Sequence, residues 1–193
     1  MTDERPIVVA LGDSLTAGHV PLEDGWPEYH PWTDLLAGRF PGFRFANAGL
    51  DGDTVGGMAS RLASEVLALH PRMCVVLGGT NDLGWGRSAE AVARDLLALW
   101  DRLRSAGIEV VACSVPPAEG WPGGVPPRRA LNGAIASSAS ALGIPVVDLF
   151  GALALADGTL DPRWSSDGLH LTPGGYDRVG EAIAEVLASR LAG

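Results

Sequence analysis

This sequence has few cysteines, no lysine and no long apolar run. The small number of cysteines and the short apolar runs each exclude a class of protein. The two cysteines, Cys74 and Cys113, begin one predicted strand and end another. A disulfide between them would need badly misaligned parallel strands, so we expect two reduced cysteines in the core. No apolar segment approaches the roughly 20 residues that a transmembrane helix requires. We therefore predict no membrane span and no disulfide framework.

Basic side chains are also scarce. The chain has 14 basic residues, all arginine, against 23 acidic ones, which gives a net charge of −9. This balance disfavours nucleic acid and anionic membranes as partners, because no basic stripe is available to bind them. The acidic start of the chain lacks the basic and apolar regions of a signal peptide, so we expect a cytoplasmic protein.

Short apolar runs alternate with amphipathic helical patterns along the whole chain. The runs lie at residues 7–11, 43–48, 73–77, 108–114 and 144–148. Unbroken apolar runs are typical of strands buried on both faces, and their alternation with helices indicates parallel pairing through right-handed crossovers. We predict a five-stranded parallel sheet in flavodoxin-like order, with helices on both faces, in a single domain over residues 1–193.

Polar turns follow the first three predicted strands. Ser14 lies after the first strand, Gly49 after the second and Asn81 after the third, while Asp167 and His170 precede the last helix. In open parallel sheets, ligands bind beyond the carboxyl ends of the strands. Each turn alone is equally well explained as a helix cap or an ordinary turn. Their coincidence at one edge of the sheet favours a shared site.

These residue types suit acyl transfer. A serine hydroxyl is a poor nucleophile until a base takes its proton, and a histidine such as His170 can do so near neutral pH. Asp167, three residues upstream, can orient that ring. The backbone N–H groups of Ser14 and Gly49 and the side-chain amide of Asn81 can donate to an oxyanion. The pattern predicts a Ser14–His170–Asp167 triad with an oxyanion hole.

The same residues resemble a known family. Residues 12–15 (GDSL), 47–54 (NAGLDGDT), 78–82 (GGTND) and 167–171 (DGLHL) resemble, in order, the four sequence blocks of the GDSL or SGNH hydrolases. This resemblance implies a three-layer α/β/α sandwich, a Ser14, Asp167 and His170 triad, and an oxyanion hole from Ser14, Gly49 and Asn81. It also implies a small-molecule ester substrate, with neither a metal nor an organic cofactor.

Asp51 departs from the family pattern, in which a small residue, often serine, is expected at this point of the second block. A carboxylate aimed into the oxyanion hole would oppose the negative charge of the transition state. We therefore expect Asp51 to point away from the hole or to pair with an arginine.

Trp26, Trp85 and Trp121 lie in predicted loops, and we expect them to line the substrate pocket. An apolar pocket would favour short-to-medium acyl or aryl esters, and an open aromatic platform would favour acetylated carbohydrate. Transfer to an acceptor other than water, as in an acyltransferase, uses the same acyl-enzyme and stays open.

Three other classes compete with an esterase. A non-catalytic binding module on the same fold would not require the serine, histidine and aspartate that are present. A nucleotide-binding module would require a glycine-rich phosphate turn, which the first block does not match. A metal-dependent, phosphatase-like enzyme would use the carboxylates of Asp13, Asp51, Asp53 and Asp82.

Overall fold

The computed structural model describes residues 3–22, 27–119 and 124–191, and a five-stranded parallel sheet runs through this part of the chain. The strands are β1 Ile7–Gly12, β2 His19–Val20, β3 Glu28–Tyr29, β4 Arg44–Gly49, β5 Met73–Leu77, β6 Glu109–Cys113 and β7 Val146–Val147. The helices are α1 Ser14–Ala17, α2 Trp32–Arg39, α3 Val55–Glu65, α4 Thr80–Gly84, α5 Ala89–Ser105, α6 Val125–Leu142, α7 Leu149–Leu153 and α8 Pro173–Leu191, with a 3₁₀ turn at Leu67–Leu69.

The strand order of the main sheet is β4-β1-β5-β6-β7, with every neighbouring pair parallel. This is the flavodoxin-like order, so the predicted fold class is confirmed. In the register of β1 with its neighbours, Gly12 lies opposite Gly49 of β4 and Leu77 of β5. The turns that leave these three strands therefore emerge together at one edge.

The sheet is covered on both faces, and alternate residues of β1 belong to opposite cores. Val9 and Leu11 pack with α3, α5 and α6. Val8 and Ala10 pack with α2, α7 and α8. Successive side chains of a strand point to opposite faces, so a strand buried on both faces reads as a continuous apolar run. This double burial produces three layers.

Local signals in the sequence account for several of the helix ends. Thr54 caps α3 by accepting the N–H of Gly57 at 3.1 Å, and Ser88 caps α5 by accepting the N–H of Ala91. Gly143 ends α6 in the left-handed conformation, with φ of 66°. Ser and Thr at N-caps and Gly after the C-terminus satisfy the backbone groups that a helix leaves unpaired.

The structure differs from the prediction at two places. The last strand, β7, has two residues rather than five, because it is an edge strand paired only with Ala112 and Cys113 of β6. The segment after Ser14, which we predicted to be irregular, contains the short antiparallel pair of β2 and β3. Strands of two residues are too short to produce a period-2 pattern in the sequence.

Cys74 and Cys113 are buried and unpaired, as predicted. Burial raises the pKa of the Cys74 thiol to about 12. Among the described residues, no helix has the length and apolar character needed to cross a membrane.

Candidate active site

Ser14 lies in the tight turn that links β1 to α1. It is the first residue of α1, and it is buried, with only 6% of its surface exposed. Asp13 caps the helix because its Oδ1 accepts the N–H of Leu15 at 2.9 Å. A Cβ atom on Gly12 would lie 2.1 Å from Thr16 Oγ1 and 2.5 Å from the Leu77 carbonyl oxygen. Only glycine allows the chain to turn so closely at the edge of the sheet.

His170 and Asp167 form a hydrogen-bonded pair, in which Nδ1 of His170 lies 2.7 Å from Oδ2 of Asp167. The other oxygen of Asp167 accepts the backbone N–H groups of Leu169 and His170 at 2.8 and 2.7 Å. Burial raises the pKa of the Asp167 carboxyl, but the bonds from His170 and these N–H groups outweigh it and leave that pKa below its usual value. An ionised Asp167 holds a proton on Nδ1, which leaves Nε2 of the ring able to accept one.

The pair lies beside the helix that carries Ser14. Gly18 ends α1, and the ring of the next residue, His19, stacks on the ring of His170 with centroids 4.3 Å apart. Since α1 has four residues, it is about 6 Å long, and the backbone of His19 follows its C-terminal end. Among the described residues, no hydrogen bond joins the Ser14 hydroxyl to the His170 ring. Such bonds are often long before a substrate binds.

Gly49 lies next to the helix that Ser14 begins, and the contact requires glycine. A Cβ at this position would lie 2.1 Å from the backbone nitrogen of Ala17 in α1. The N–H of Gly49, which we predicted to face an oxyanion, donates to Oδ1 of Asn47 at 2.8 Å. The Asn47 amide also donates to the Thr16 carbonyl oxygen at 2.8 Å, so Asn47 ties β4 to α1. The sequence interpretation missed this role.

Asn81 presents its amide at the same edge. Asn81 is 8% exposed, and its Nδ2 donates one hydrogen to the Asp53 carbonyl oxygen at 2.8 Å. A side-chain amide carries two hydrogens. The bond to Asp53 fixes the orientation of the amide and leaves one hydrogen for a ligand.

Two of the four carboxylates of the metal-dependent alternative are paired with arginines. Asp53 pairs with Arg61 at 2.7 Å, and Asp82 pairs with Arg87 at 2.6 Å. Within the described ranges, no three His, Cys, Asp or Glu side chains are grouped so as to hold a metal ion. This arrangement differs from the convergent carboxylates that a metal-dependent phosphatase would require.

Asp51 is bound by two side chains, and neither is an arginine. Its Oδ2 lies 2.7 Å from Nδ1 of His19 and accepts the Tyr29 hydroxyl at 3.0 Å. Of the two arrangements expected for Asp51, pairing with an arginine is therefore not observed. No motif in the sequence indicates this contact, because His19 and Asp51 are 32 residues apart and no local spacing joins them.

A buried ionisable pair, Asp13 and Arg128, lies near Ser14. Burial raises the pKa of Asp13 to about 7, although the N–H of Leu15 and the charge of Arg128 act in the opposite direction. Arg128 of α6 is also buried, which lowers its pKa to about 10. Within the described part of the chain, Asp13 Oδ2 and the Nε and Nη2 atoms of Arg128 have no hydrogen-bond partner.

An open pocket of about 440 Å³ lies directly beside Gly49. Its lining combines apolar groups with an amide and a carboxylate: Ala17, Tyr29, Pro31, Asn47, Gly49, Leu50 and Asp51. A second pocket, of about 420 Å³, lies at the opposite edge of the sheet near Glu109, remote from Ser14 and His170.

Of the three tryptophans predicted to line the pocket, only Trp85 lies among the described residues. Trp85 follows α4 with 70% of its surface exposed, and it is not one of the residues that line the pocket. Trp26 and Trp121 lie outside the described residues. The aromatic side chain at the pocket is Tyr29.

Comparison with known proteins agrees with this architecture. The chain matches the family model described as the GDSL-like Lipase/Acylhydrolase family over residues 10–178. It is 27% identical to the platelet-activating factor acetylhydrolase IB subunit alpha2 of Gallus gallus, over 98% of this chain and 79% of that relative.

Solved structures share the fold along almost the whole chain. The lipase/acylhydrolase of Enterococcus faecalis is 26% identical, with a TM-score of 0.80 and coverage of 96% of each chain. Est24, a carbohydrate acetylesterase of Sinorhizobium meliloti, is 22% identical, with a TM-score of 0.82 and coverage of 95% of this chain and 99% of that one. With the family model spanning all four sequence blocks, the chain belongs to the GDSL-like lipase/acylhydrolase family.

Proposed function

We propose that this acylhydrolase is a serine ester hydrolase that works through Ser14, His170 and Asp167. The observation that carries the proposal is the 2.7 Å pair of His170 and Asp167 beside the helix that Ser14 begins. Ser14 Oγ attacks the ester carbonyl while Nε2 of His170 takes its proton. His170 then protonates the leaving alcohol, and water attacks the acyl-enzyme in the second half of the reaction.

The oxyanion is stabilised by donors at the edge of the sheet. The backbone N–H of Ser14 lies at the start of α1, and the second amide hydrogen of Asn81 is held in place by the bond to Asp53. Gly49 contributes a third donor when its N–H is shared between Asn47 and the oxyanion. Fixed donors of this kind stabilise charge without reorganisation during the reaction.

The pocket beside Gly49 favours a small acyl or alcohol group. It is open, and its walls are formed by short apolar groups together with Leu50 and Tyr29. The relative from Gallus gallus is named as an acetylhydrolase, which agrees with a short acyl chain. We propose short-chain esters as substrates.

A second candidate is the deacetylation of carbohydrate. Asn47, Asp51 and Tyr29 place an amide, a carboxylate and a phenol around the pocket, and these groups can bind sugar hydroxyls. Hydrolysis of acetylated sugars in preference to simple acetyl esters would distinguish this candidate from the first.

The test is hydrolysis of chromogenic esters, from acetyl to decanoyl, by the wild type and by Ser14→Ala. We expect turnover that is greatest for the short chains and is almost abolished in the variant, whose fold is checked by circular dichroism. Labelling of the wild type, but not the variant, by a fluorophosphonate is the second readout. Undiminished hydrolysis by pure Ser14→Ala would refute the assignment.

A further inference from the structure

A second histidine lies against the face of the proposed catalytic base. The rings of His19 and His170 stack with centroids 4.3 Å apart and planes inclined by 28°. His19 is the first residue of β2 and directly follows Gly18, which ends α1. It lies outside the four sequence blocks that resemble the family.

His19 is held in place from several sides. Its Nδ1 is bonded to Asp51 Oδ2 at 2.7 Å, and the Tyr29 ring meets it edge-on with centroids 5.9 Å apart. Its carbonyl oxygen accepts the buried hydroxyl of Tyr176 in α8 at 2.7 Å. Asp51 also accepts the Tyr29 hydroxyl, which fixes the carboxylate in turn. The orientation of the His19 ring is therefore determined before any substrate binds.

The catalytic histidine needs such a contact. The bond to Asp167 restrains χ2 of His170 by holding Nδ1, but a hydrogen bond tolerates bending and leaves the ring plane some rotation. The χ2 angle of histidine has a broad, weak preference, so the side chain itself does not fix the plane of the ring. A flat group packed against one face restricts that rotation and thereby directs Nε2.

We propose, on the basis of the function proposed above, that His19 is a positioning residue that fixes the ring plane of His170 for proton transfer from Ser14. Asp51 and Tyr29 hold His19 in the position that this requires. The role depends on the flat face of the ring, and the bond to Asp51 serves to orient that face.

Two substitutions separate the ring face from the hydrogen bond. His19→Phe keeps a flat ring and removes the bond to Asp51, whereas His19→Gln keeps a hydrogen-bonding group and removes the ring. We expect His19→Gln to lower kcat about 10- to 100-fold with little change in KM, because small misplacements of catalytic groups have effects of this size. We expect His19→Phe to recover most of that loss.

His30→Gln is the matched control, because His30 forms a comparable pair with Asp177 at 2.9 Å and stacks on no catalytic ring. We expect it to leave kcat unchanged. The low-field proton signal of Nδ1–H in His170, identified by its loss in Asp167→Asn, provides a readout independent of turnover. It should broaden in His19→Gln and persist in His19→Phe and His30→Gln.

Two results would overturn the inference: wild-type kcat in folded His19→Gln, or an equal loss of kcat in His19→Phe and His19→Gln. Should His19→Gln not fold, as judged by its thermal transition, His19→Phe alone still decides, since a large loss of kcat contradicts the role of the ring face. Hydrolysis that survives Ser14→Ala would refute the proposed function instead, and the proton signal would still test the arrangement of the two rings.

Discussion

The two histidine–aspartate pairs at the site share one geometry and differ in how the chain forms them. In each pair, Nδ1 of the histidine lies 2.7 Å from an Oδ2 atom of the aspartate. Asp167 and His170 are three residues apart in one loop, whereas His19 and Asp51 are separated by 32 residues. The first pair is visible in the sequence as a motif, and the second exists only because β1 and β4 are neighbours. The same contact therefore supports different roles according to what lies around it.

The surroundings of the two carboxylates differ accordingly. Asp167 also accepts two backbone N–H groups of its own loop, so the loop and the carboxylate are rigidly joined. Asp51 accepts a hydroxyl from the half-exposed Tyr29 and lines an open pocket. We expect the first carboxylate to control the protonation of His170 and the second to act through His19.

Of all the substitutions at the two pairs, replacement of Asp167 should lower kcat the most. In Asp167→Asn, an amide N–H would face Nδ1 of His170, which puts the ring proton on Nε2 and leaves it unable to accept one from Ser14. We expect kcat to fall by about 10⁴-fold, as in other serine triads with this change. Steady-state kinetics on the best ester measures the effect.

The control is Asp177→Asn, which removes the carboxylate of the remote pair with His30. It should retain wild-type kcat. A fall of less than tenfold in Asp167→Asn would show that this pair does not set the state of the base.

Removing the Asn81 amide tests the site while leaving both pairs intact. Asn81→Ala loses a donor that is held by the Asp53 carbonyl oxygen. We expect kcat to fall by about 10²- to 10³-fold, the usual effect of losing one side-chain donor to an oxyanion. Fluorophosphonate labelling of Ser14 should slow in parallel, and an unchanged kcat would remove Asn81 from the oxyanion hole.

Replacing Asp51 should have a smaller effect. Asp51→Asn keeps an oxygen that can accept from His19 and Tyr29, but it removes a partly exposed charge. We expect kcat to change at most about fivefold, because a partly exposed ion pair contributes about 1 kcal/mol or less. A loss as large as that of Asp167→Asn, measured under the same conditions, would show that the two pairs have equal roles.

Asp13 differs from the carboxylates of both pairs, since it is buried at the same edge of the sheet without a histidine partner. Its pKa of about 7 exceeds that of an aspartate in the unfolded chain, about 3.9. The folded protein therefore holds a proton that the unfolded chain has released, and the contribution of Asp13 to stability declines as the pH rises from about 4 to about 7.

Asp13→Asn removes this decline and retains a residue that caps α1 well. We expect the variant to gain free energy of unfolding relative to the wild type as the pH rises through that range, with little further gain above it. Urea unfolding at about pH 5 and about pH 8 measures the difference. A difference that does not depend on pH would contradict the assigned ionisation of Asp13.

Much of the fold could be predicted from the sequence. The apolar runs predicted the strands of the main sheet, and Thr54, Ser88 and Gly143, which cap helices in the structure, are residue types that favour these positions. Burial on both faces leaves a continuous apolar pattern, and caps require particular side chains. The hairpin of β2 and β3 left no such pattern because its strands have only two residues each.

Within the site, the sequence was sufficient to identify the residues that belong to short local motifs. Short motifs at strand ends or before a helix account for three features: the turn of Ser14, the loop of Asp167 and His170, and the position of Asn81. Their partners within a few residues are fixed by backbone geometry, so residue types and spacing are sufficient to identify them.

The contacts between segments that are distant in the chain became visible in the tertiary structure alone. It gave Asp51 a histidine and a tyrosine in place of an arginine, directed the N–H of Gly49 toward Asn47, and stacked His19 on His170. These contacts depend on which strands are neighbours and on how far each side chain extends beyond the edge of the sheet. Neither quantity is encoded in local spacing, because both arise when the sheet and its covering helices pack together.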